Sequence, residues 1–309
     1  MKVKELFNLW LNKYIKPIVK VRTYLKYEYI VNKYIYPYLG EMKFKKIDNI
    51  VIQNYVLFLL ELVSEKTNKK LSINTVRDII QIFKNGVSLA LKLQLINKNP
   101  TENVKLPKQL EKEVTAFTLE EQKLIESYCL KSKKVSYLGV ILCLYTGIRL
   151  GELLSLTWSD IDFKNKVMHI RKTSYFIKIE GKYKVIIDNP KTAKSNRIIP
   201  LSDKLIGILL YIRSNTNSSY VISNRLGEII DNRSYQRTFQ SILKKCKIKH
   251  YSFHSLRHTF ATRAIEIGVD VKTLSEILGH TNVNITLNRY AHSLFDYKVQ
   301  EMNRISELL

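Results

Sequence analysis

One polar stretch constrains this chain more than any other feature. Residues 97–116, NKNPTENVKLPKQLEKEVTA, hold two prolines and many charges and show no apolar periodicity, while apolar residues recur at structural spacing on both sides. Such a segment reads as a linker. The 309 residues are therefore expected to form two modules, 1–108 and 117–309, each large enough for its own core.

The first module reads as helical throughout. Leu6, Leu9, Trp10 and Lys13 stand at helical spacing over 3–14, and Pro17 ends the run. Thr23 is expected to cap TYLKYEYIVNKYI, which stops at Pro37 and Gly40; Asp48 caps a helix over about 49–65, and Asn74 caps TVRDIIQIFKNGVSLALKL. Four helices with short connections make a small bundle. Lys and Tyr interleave on its faces, a pattern that suits either solvent or a nucleic acid.

The second module mixes helix and strand. Thr118 and Glu121 in FTLEEQ fit a capping box. VSYLGVILCLYTGIRLGELLSL is an apolar helix broken near Gly147. VMHIRKTSYFIKI and KYKVIID read as β-strands with a turn at Glu180-Gly181, and RIIPL as a third strand after NPKTAKSN. Helices are expected over 202–213, 232–245, 254–267 and 271–278, with Gly268 and Gly279 as left-handed C-terminal caps.

Charge narrows the partner. The chain carries 51 Lys and Arg against 27 Asp and Glu, a formal +24. Residues 1–110 hold 20 basic and 8 acidic side chains, so both halves are basic and neither charge is a tail. Lysine enrichment from genome bias would raise Glu alongside Lys. A basic excess spread over two folded modules instead suits a polyanion gripped from two sides. Cys129, Cys143 and Cys246 are widely spaced, with no C-x-x-C, which suits buried apolar roles in a reducing cytoplasm. The opening MKVKELFNLWLNKY is charged and amphipathic, unlike a secretory signal, and runs such as YVLFLLELV are too short to span a bilayer.

The polar residues that could carry chemistry lie in the second module. Arg149 sits at the helix break in YTGIRLGEL, and Arg257 lies near the start of the 254–267 helix. A guanidinium is permanently charged and binds two phosphate oxygens at once, so two of them could clamp one phosphodiester, although a lone Arg more often makes a surface ion pair. His254 and His258 are four apart, but H-E-x-x-H needs Glu where Ser255 stands; other metal geometries would need His250 or His280 as a third ligand. Packing or hydrogen bonding within the fold suits His258 better. Lys191 lies in the connection before RIIPL, with Lys194 as its competitor; either is a proton donor or a solvated turn lysine. Tyr290 is one of 19 tyrosines, set apart by its position after Gly279-His280 and TNVNITLNR. A phenol becomes a nucleophile when its proton is removed and its target polarised.

Taken together, Arg149 in TGIRLGEL, Lys191, H-S-L-R at 254–257, L-G-H at 278–280 and Tyr290 resemble the tyrosine recombinases of the phage-integrase type, over essentially the whole chain. The resemblance implies a mainly α fold with a small antiparallel β-sheet. An N-terminal helical, SAM-like core-binding domain would precede a mixed α/β catalytic domain. It implies that Tyr290 attacks the scissile phosphate of duplex DNA to give a 3′-phosphotyrosine. Arg149 and Arg257 then hold the non-bridging oxygens, Lys191 protonates the departing 5′-oxygen, His254 assists proton transfer, His280 hydrogen-bonds the phosphate, and Glu152 orients the site. No metal, cofactor or ATP is expected. The expected partners are recombination sites, three further copies of the chain in a tetramer, and an excision factor or a host DNA-bending protein, in the cytoplasm and away from membranes. Many integrases carry an arm-binding domain in front, whereas core-binding helices are expected here almost from the first residue. That keeps a Xer-like dimer resolvase as an alternative, alongside a catalytically silent DNA-binding relative. The strands around Glu180-Gly181 look longer than in minimal resolvases and resemble those of conjugative-transposon integrases.

Val299, Met302, Ile305 and Leu309 share helical spacing in FDYKVQEMNRISELL, and family resemblance implies that this tail docks on a neighbouring subunit. Deleting residues 297–309 is expected to abolish tetramer assembly on DNA and strand exchange, as read by native gels and product assays.

Overall fold

Helix caps account for much of the observed architecture. The computed structural model describes residues 1–65, 67–108, 115–179, 181–188, 196–290, 302–303 and 305–307, which group into two units, Met1–Lys112 and Glu113–Leu309.

In the first unit, Val3–Leu9 is α-helical and continues as a wider π-helical stretch, Trp10–Ile15. Val21–Ile30 starts two residues before the expected cap at Thr23 and runs through a second π stretch, Val31–Ile35, into Tyr36–Leu39. Pro37 therefore does not stop the helix. It sits in the first turn after the wide π turn, where the hydrogen-bond ladder already changes and its missing N–H costs least. Asp48 caps Asn49–Glu61, accepting from the Val51 amide at 2.8 Å. Ser72, not Asn74, caps Ile73–Lys92; its hydroxyl accepts from the Thr75 amide. Within the stretch read as a linker, residues near 105 lie against this unit, with Gln53 bonded to both the amide and the carbonyl of Lys105.

The core of this unit is mostly aliphatic, with an aromatic group within it. Phe7 and Phe83 stack with centroids 5.6 Å apart, and Trp10 meets the edge of Phe7 at 5.6 Å. Gly86 admits the Phe7 ring against the long helix, because a Cβ there would lie 2.4 Å from Phe7 Cζ.

In the second unit, the Thr118–Glu121 capping box opens Leu119–Ser132. Val135–Thr146 runs through the core; Leu138, Ile141, Leu142 and Cys143 are buried, and Tyr235 donates to the Ser136 carbonyl at 2.5 Å. VMHIRKTSYFIKI is two strands rather than one. Val167–Ile170 pairs with Ile161–Asp162 and Arg197–Pro200 in a three-stranded antiparallel sheet. Thr173–Ile179 instead pairs with Lys182–Asp188 as a separate hairpin of two seven-residue strands, with Gly181 at its turn, φ +80°. Asp203–Ser214, Asn232–Lys245, His254–Glu266, Val271–Leu278 and Val283–Tyr290 complete the described α-helices of this unit, apart from the short Leu150–Ser155 and the C-terminal residues. Gly268 and Gly279 take the left-handed conformation, φ +83° and +65°. Among the described residues no helix is long and apolar enough to cross a membrane. Of the tail, Met302 and Ile305 are described and exposed.

Gly86→Ala should gain about 1 kcal/mol of helix propensity but lose about 1–3 kcal/mol to overpacking, since Phe7 is fully buried and stacked and cannot swing away. A lowered denaturation midpoint at unchanged slope is the expected result.

Candidate active site

The site is assembled where four chain segments meet at the C-terminal end of Val271–Leu278. The first is the turn after Val135–Thr146. Gly147 caps that helix in the left-handed region, φ +65°, and the chain turns straight into Leu150–Ser155 with Arg149 as its N-cap. A side chain at 147 would be strained, and its Cβ would strike Phe260 at 2.6 Å. Glu152, one turn on, reaches back to accept from the Arg149 amide at 2.9 Å and from Arg149 Nη1 at 2.8 Å.

The second segment is the His254–Glu266 helix. It is anchored at the entry of the unit: Thr259 accepts from the Phe117 amide at 2.9 Å, and Arg263 donates to the Phe117 carbonyl at 2.9 Å. Arg257 points inward and is 2% exposed. Its Nη1 donates to the Gly147 carbonyl at 2.8 Å and its Nη2 to the Leu278 carbonyl at 2.6 Å. His254 is exposed one turn earlier, with its ring edge-to-face with His258 at 4.5 Å between centroids.

The third segment is the helix end itself. Leu278 O takes Arg257, and Gly279 O takes Arg149 Nη2 at 3.2 Å. The last carbonyls of a helix carry partial negative charge and have no partners within it, so they suit guanidinium groups. His280 follows at once. Its amide bonds Ser275 O at 3.0 Å, and its Nδ1 is 2.7 Å from Oγ1 of the buried Thr286, which fixes the ring's direction. Tyr290 is the last residue of Val283–Tyr290; its side chain lies outside the described residues, as do Lys191 and Lys194.

The fourth segment supplies a residue that the sequence reading passed over. Arg197 opens its strand and is 8% exposed. It meets Glu152 with two parallel bonds, Nη1 to Oε1 at 3.1 Å and Nη2 to Oε2 at 2.9 Å, while Nε donates to Ile277 O at 2.6 Å. The period-2 alternation of RIIP places Arg197 on one face with Ile199. Because Ile198 is apolar too, the sequence does not say which face is buried.

Burial by itself would raise the Glu152 pKa. The hydrogen bonds and charge of Arg197, then the charge of Arg149 and its amide, outweigh that and hold the carboxyl down at about 2. Among the described residues, no three His, Cys, Asp or Glu side chains come together as a metal site would require.

Glu152 is thus ionised in the fold well below the ordinary 4.5, and its stabilisation is present above that value and lost as pH falls toward 2. Glu152→Gln mimics the protonated carboxyl. Its deficit should be roughly 3 kcal/mol at neutral pH and should close between about pH 4.5 and pH 2, as measured by denaturant unfolding across that range.

Known proteins resemble this chain over most of its length. Residues 111–296 match the phage integrase family, and residues 2–60 match the phage integrase N-terminal SAM-like domain. A tyrosine recombinase XerC-like protein of Caldanaerobacter subterraneus subsp. tengcongensis is 31% identical, over 98% of this chain and 82% of that protein. The transposase from transposon Tn916 of Enterococcus faecalis is 27% identical over 75% of this chain, which spans 62% of that protein's length. Among solved structures, the Tn1549 transposon integrase in complex with a circular intermediate DNA superposes with a TM-score of 0.81 at 25% identity, covering 99% of both chains. A lambda integrase dimer bound to a core site shares the fold, with a TM-score of 0.69 at 16% identity over 94% of this chain and 95% of that one. The mainly helical fold, its small antiparallel sheets and the family match agree, and the chain belongs to the phage integrase family of tyrosine recombinases.

Proposed function

We propose that this recombinase cuts and rejoins DNA at specific sites through a 3′-phosphotyrosine at Tyr290 and a Holliday junction, to integrate and excise a mobile element. The observation that carries the reading is the pairing of Arg149 and Arg257 on consecutive carbonyls of one helix end, immediately before His280. Two guanidinium groups held so close, one buried and one with its side chain 36% exposed, suit the two non-bridging oxygens of a single phosphate. They would oppose the charge that gathers there as the fifth oxygen bonds to phosphorus.

In this mechanism the Tyr290 oxygen bonds to phosphorus as the P–O5′ bond breaks. His254 assists removal of the phenolic proton, Lys191 supplies a proton to the departing 5′-oxygen, and His280 hydrogen-bonds the phosphate. A 5′-hydroxyl from a second duplex then attacks the phosphotyrosine, releases Tyr290 and seals the new joint. One phosphodiester is exchanged for another of similar energy, so ATP is not needed, and in this reading the two guanidiniums offset the charge that a metal ion would otherwise take. Two duplexes cut on both strands need four nucleophiles, hence a tetramer on DNA, helped by a DNA-bending protein or an excision factor. Residues 1–108 act as the core-site binding domain and 117–309 as the catalytic domain, with Lys and Tyr faces toward the phosphates.

Likeness to the Tn1549 integrase over nearly the whole chain, together with the seven-residue hairpin strands, supports the mobile-element reading. The XerC-like relative favours a second reading, a dimer resolvase. A pair of sites whose recombination circularises the DNA between them marks an element. A single site shared by two copies of one replicon marks a resolvase.

Covalent trapping tests the chemistry. DNA flanking the gene is tiled as nicked duplexes that lose the 5′-hydroxyl fragment on cleavage, with EDTA present. A protein–DNA band on a denaturing gel is expected for wild type and not for Tyr290→Phe. A band with both proteins would mean a different nucleophile.

A further inference from the structure

We propose that Arg197 is a positioning residue for strand cleavage: by holding both oxygens of Glu152 and the Ile277 carbonyl, it fixes the place from which Arg149 meets the scissile phosphate. The assignment rests on the reading of Arg149 as a phosphate ligand.

Arg149 needs such a holder. It is the N-cap of a six-residue helix, and its side chain is partly exposed. Its contact to Glu152 runs from Nη1 to one oxygen, while the Arg149 amide uses the other. A carboxylate free to turn about its last bond would carry Arg149 with it. Arg197 approaches both oxygens with a planar fork and sets the plane of the carboxylate. Through Nε it also ties that fork to Ile277 O. The next two carbonyls of the same helix end take Arg257 and Arg149. Strand, helix end and carboxylate thereby become one frame in which the two clamp guanidiniums keep a constant spacing.

Arg197 itself is not placed to act as a clamp. It is buried behind Gly279, where even a Cβ would come within 3.0 Å of its Cδ. A DNA phosphate would need that space. Lysine could neutralise Glu152, but with a point charge on one oxygen and no second arm for Ile277 O.

The alternative is a buried ion pair that serves stability alone. The two differ in how they respond to the charge on the phosphate. A methylphosphonate at the cleavage position replaces one charged non-bridging oxygen with a methyl group and removes the charge that the clamp stabilises. A misaligned clamp should cost less on that substrate, whereas partial unfolding would lower both rates equally.

The test uses the full chain on a nicked duplex carrying a site mapped by trapping, with phosphate or methylphosphonate at the cleavage position. Single-turnover adduct formation, duplex binding and thermal stability are measured for wild type, Arg197→Lys and the double variant Arg197→Met/Glu152→Gln. The double variant removes both buried charges together and so avoids an unpaired carboxylate in the core. On phosphate, both variants should form adduct on the order of 10²-fold more slowly with duplex binding retained, the scale expected of about 1 Å of misplacement. On methylphosphonate the deficit should shrink by about tenfold or more, because the clamp no longer has a full charge to stabilise. Wild-type rates in Arg197→Lys, or an equal deficit on both substrates, would overturn the assignment alone. An Arg149→Lys control with equal deficits on both substrates would overturn the phosphate-ligand reading and this assignment with it.

Discussion

Glu152 is a buried carboxylate with a guanidinium on either side, and the described part of the site takes its geometry from that arrangement. Burying a carboxylate costs several kcal/mol unless charge and hydrogen bonds replace the lost water. Here Arg197 takes both oxygens from within the fold, while Arg149 takes one through its side chain and the other through its amide. Removing either arginine would leave the carboxylate undercompensated, so the segments that carry them, the turn at Gly147 and the strand at Arg197, are held in register. The short Leu150–Ser155 helix has little stability of its own. Its place depends on this pair and on the buried Leu153 and Leu154.

The second organising element is a helix end used as a counter-charge. Three successive carbonyls, Ile277, Leu278 and Gly279, each accept from a different arginine. Carbonyl dipoles hold guanidinium groups in place without cancelling their charge. A carboxylate on each arginine would have made the cluster neutral and left it less able to bind a phosphate. Among the described residues the cluster counts three arginines and one glutamate, which binds two of them, so it keeps a surplus positive charge where a phosphodiester is proposed to sit. The left-handed Gly279 follows from this arrangement: the chain must turn sharply to release its last carbonyls, and Arg197 fills the space beside it.

Local chemistry was legible where a short stretch settles its own structure. Asp48 as a cap, the Thr118–Glu121 box and the left-handed glycines at 268 and 279 depend on neighbours within a few residues, and they stand as read. Local cues misled where two adjacent readings were nearly equal. Ser72 and Asn74 are both good caps two residues apart, and Ser72 takes the position. Pro37 reads as a stop, but the π turn before it absorbs the break. VMHIRKTSYFIKI reads as one β-rich stretch, but its polar run Arg171–Ser174 is where the chain leaves the three-stranded sheet for the hairpin.

By itself, the sequence determined that the chain is two basic modules and that Arg149, His254, Arg257, His280 and Tyr290 stand in a recognisable order with helix breaks and caps around them. These properties follow from charge, spacing and residue type, which survive in a linear chain. The tertiary structure alone decided that Arg197 faces inward to Glu152, that Arg149 and Arg257 share one helix end, and that Thr286 orients His280. The arginine contacts join residues that are neighbours only after folding: Arg149 lies 130 positions from Gly279, and Arg197 lies 45 from Glu152. Short-range pattern carries no term for such separations, and only packing of the whole unit brings these groups into hydrogen-bond range.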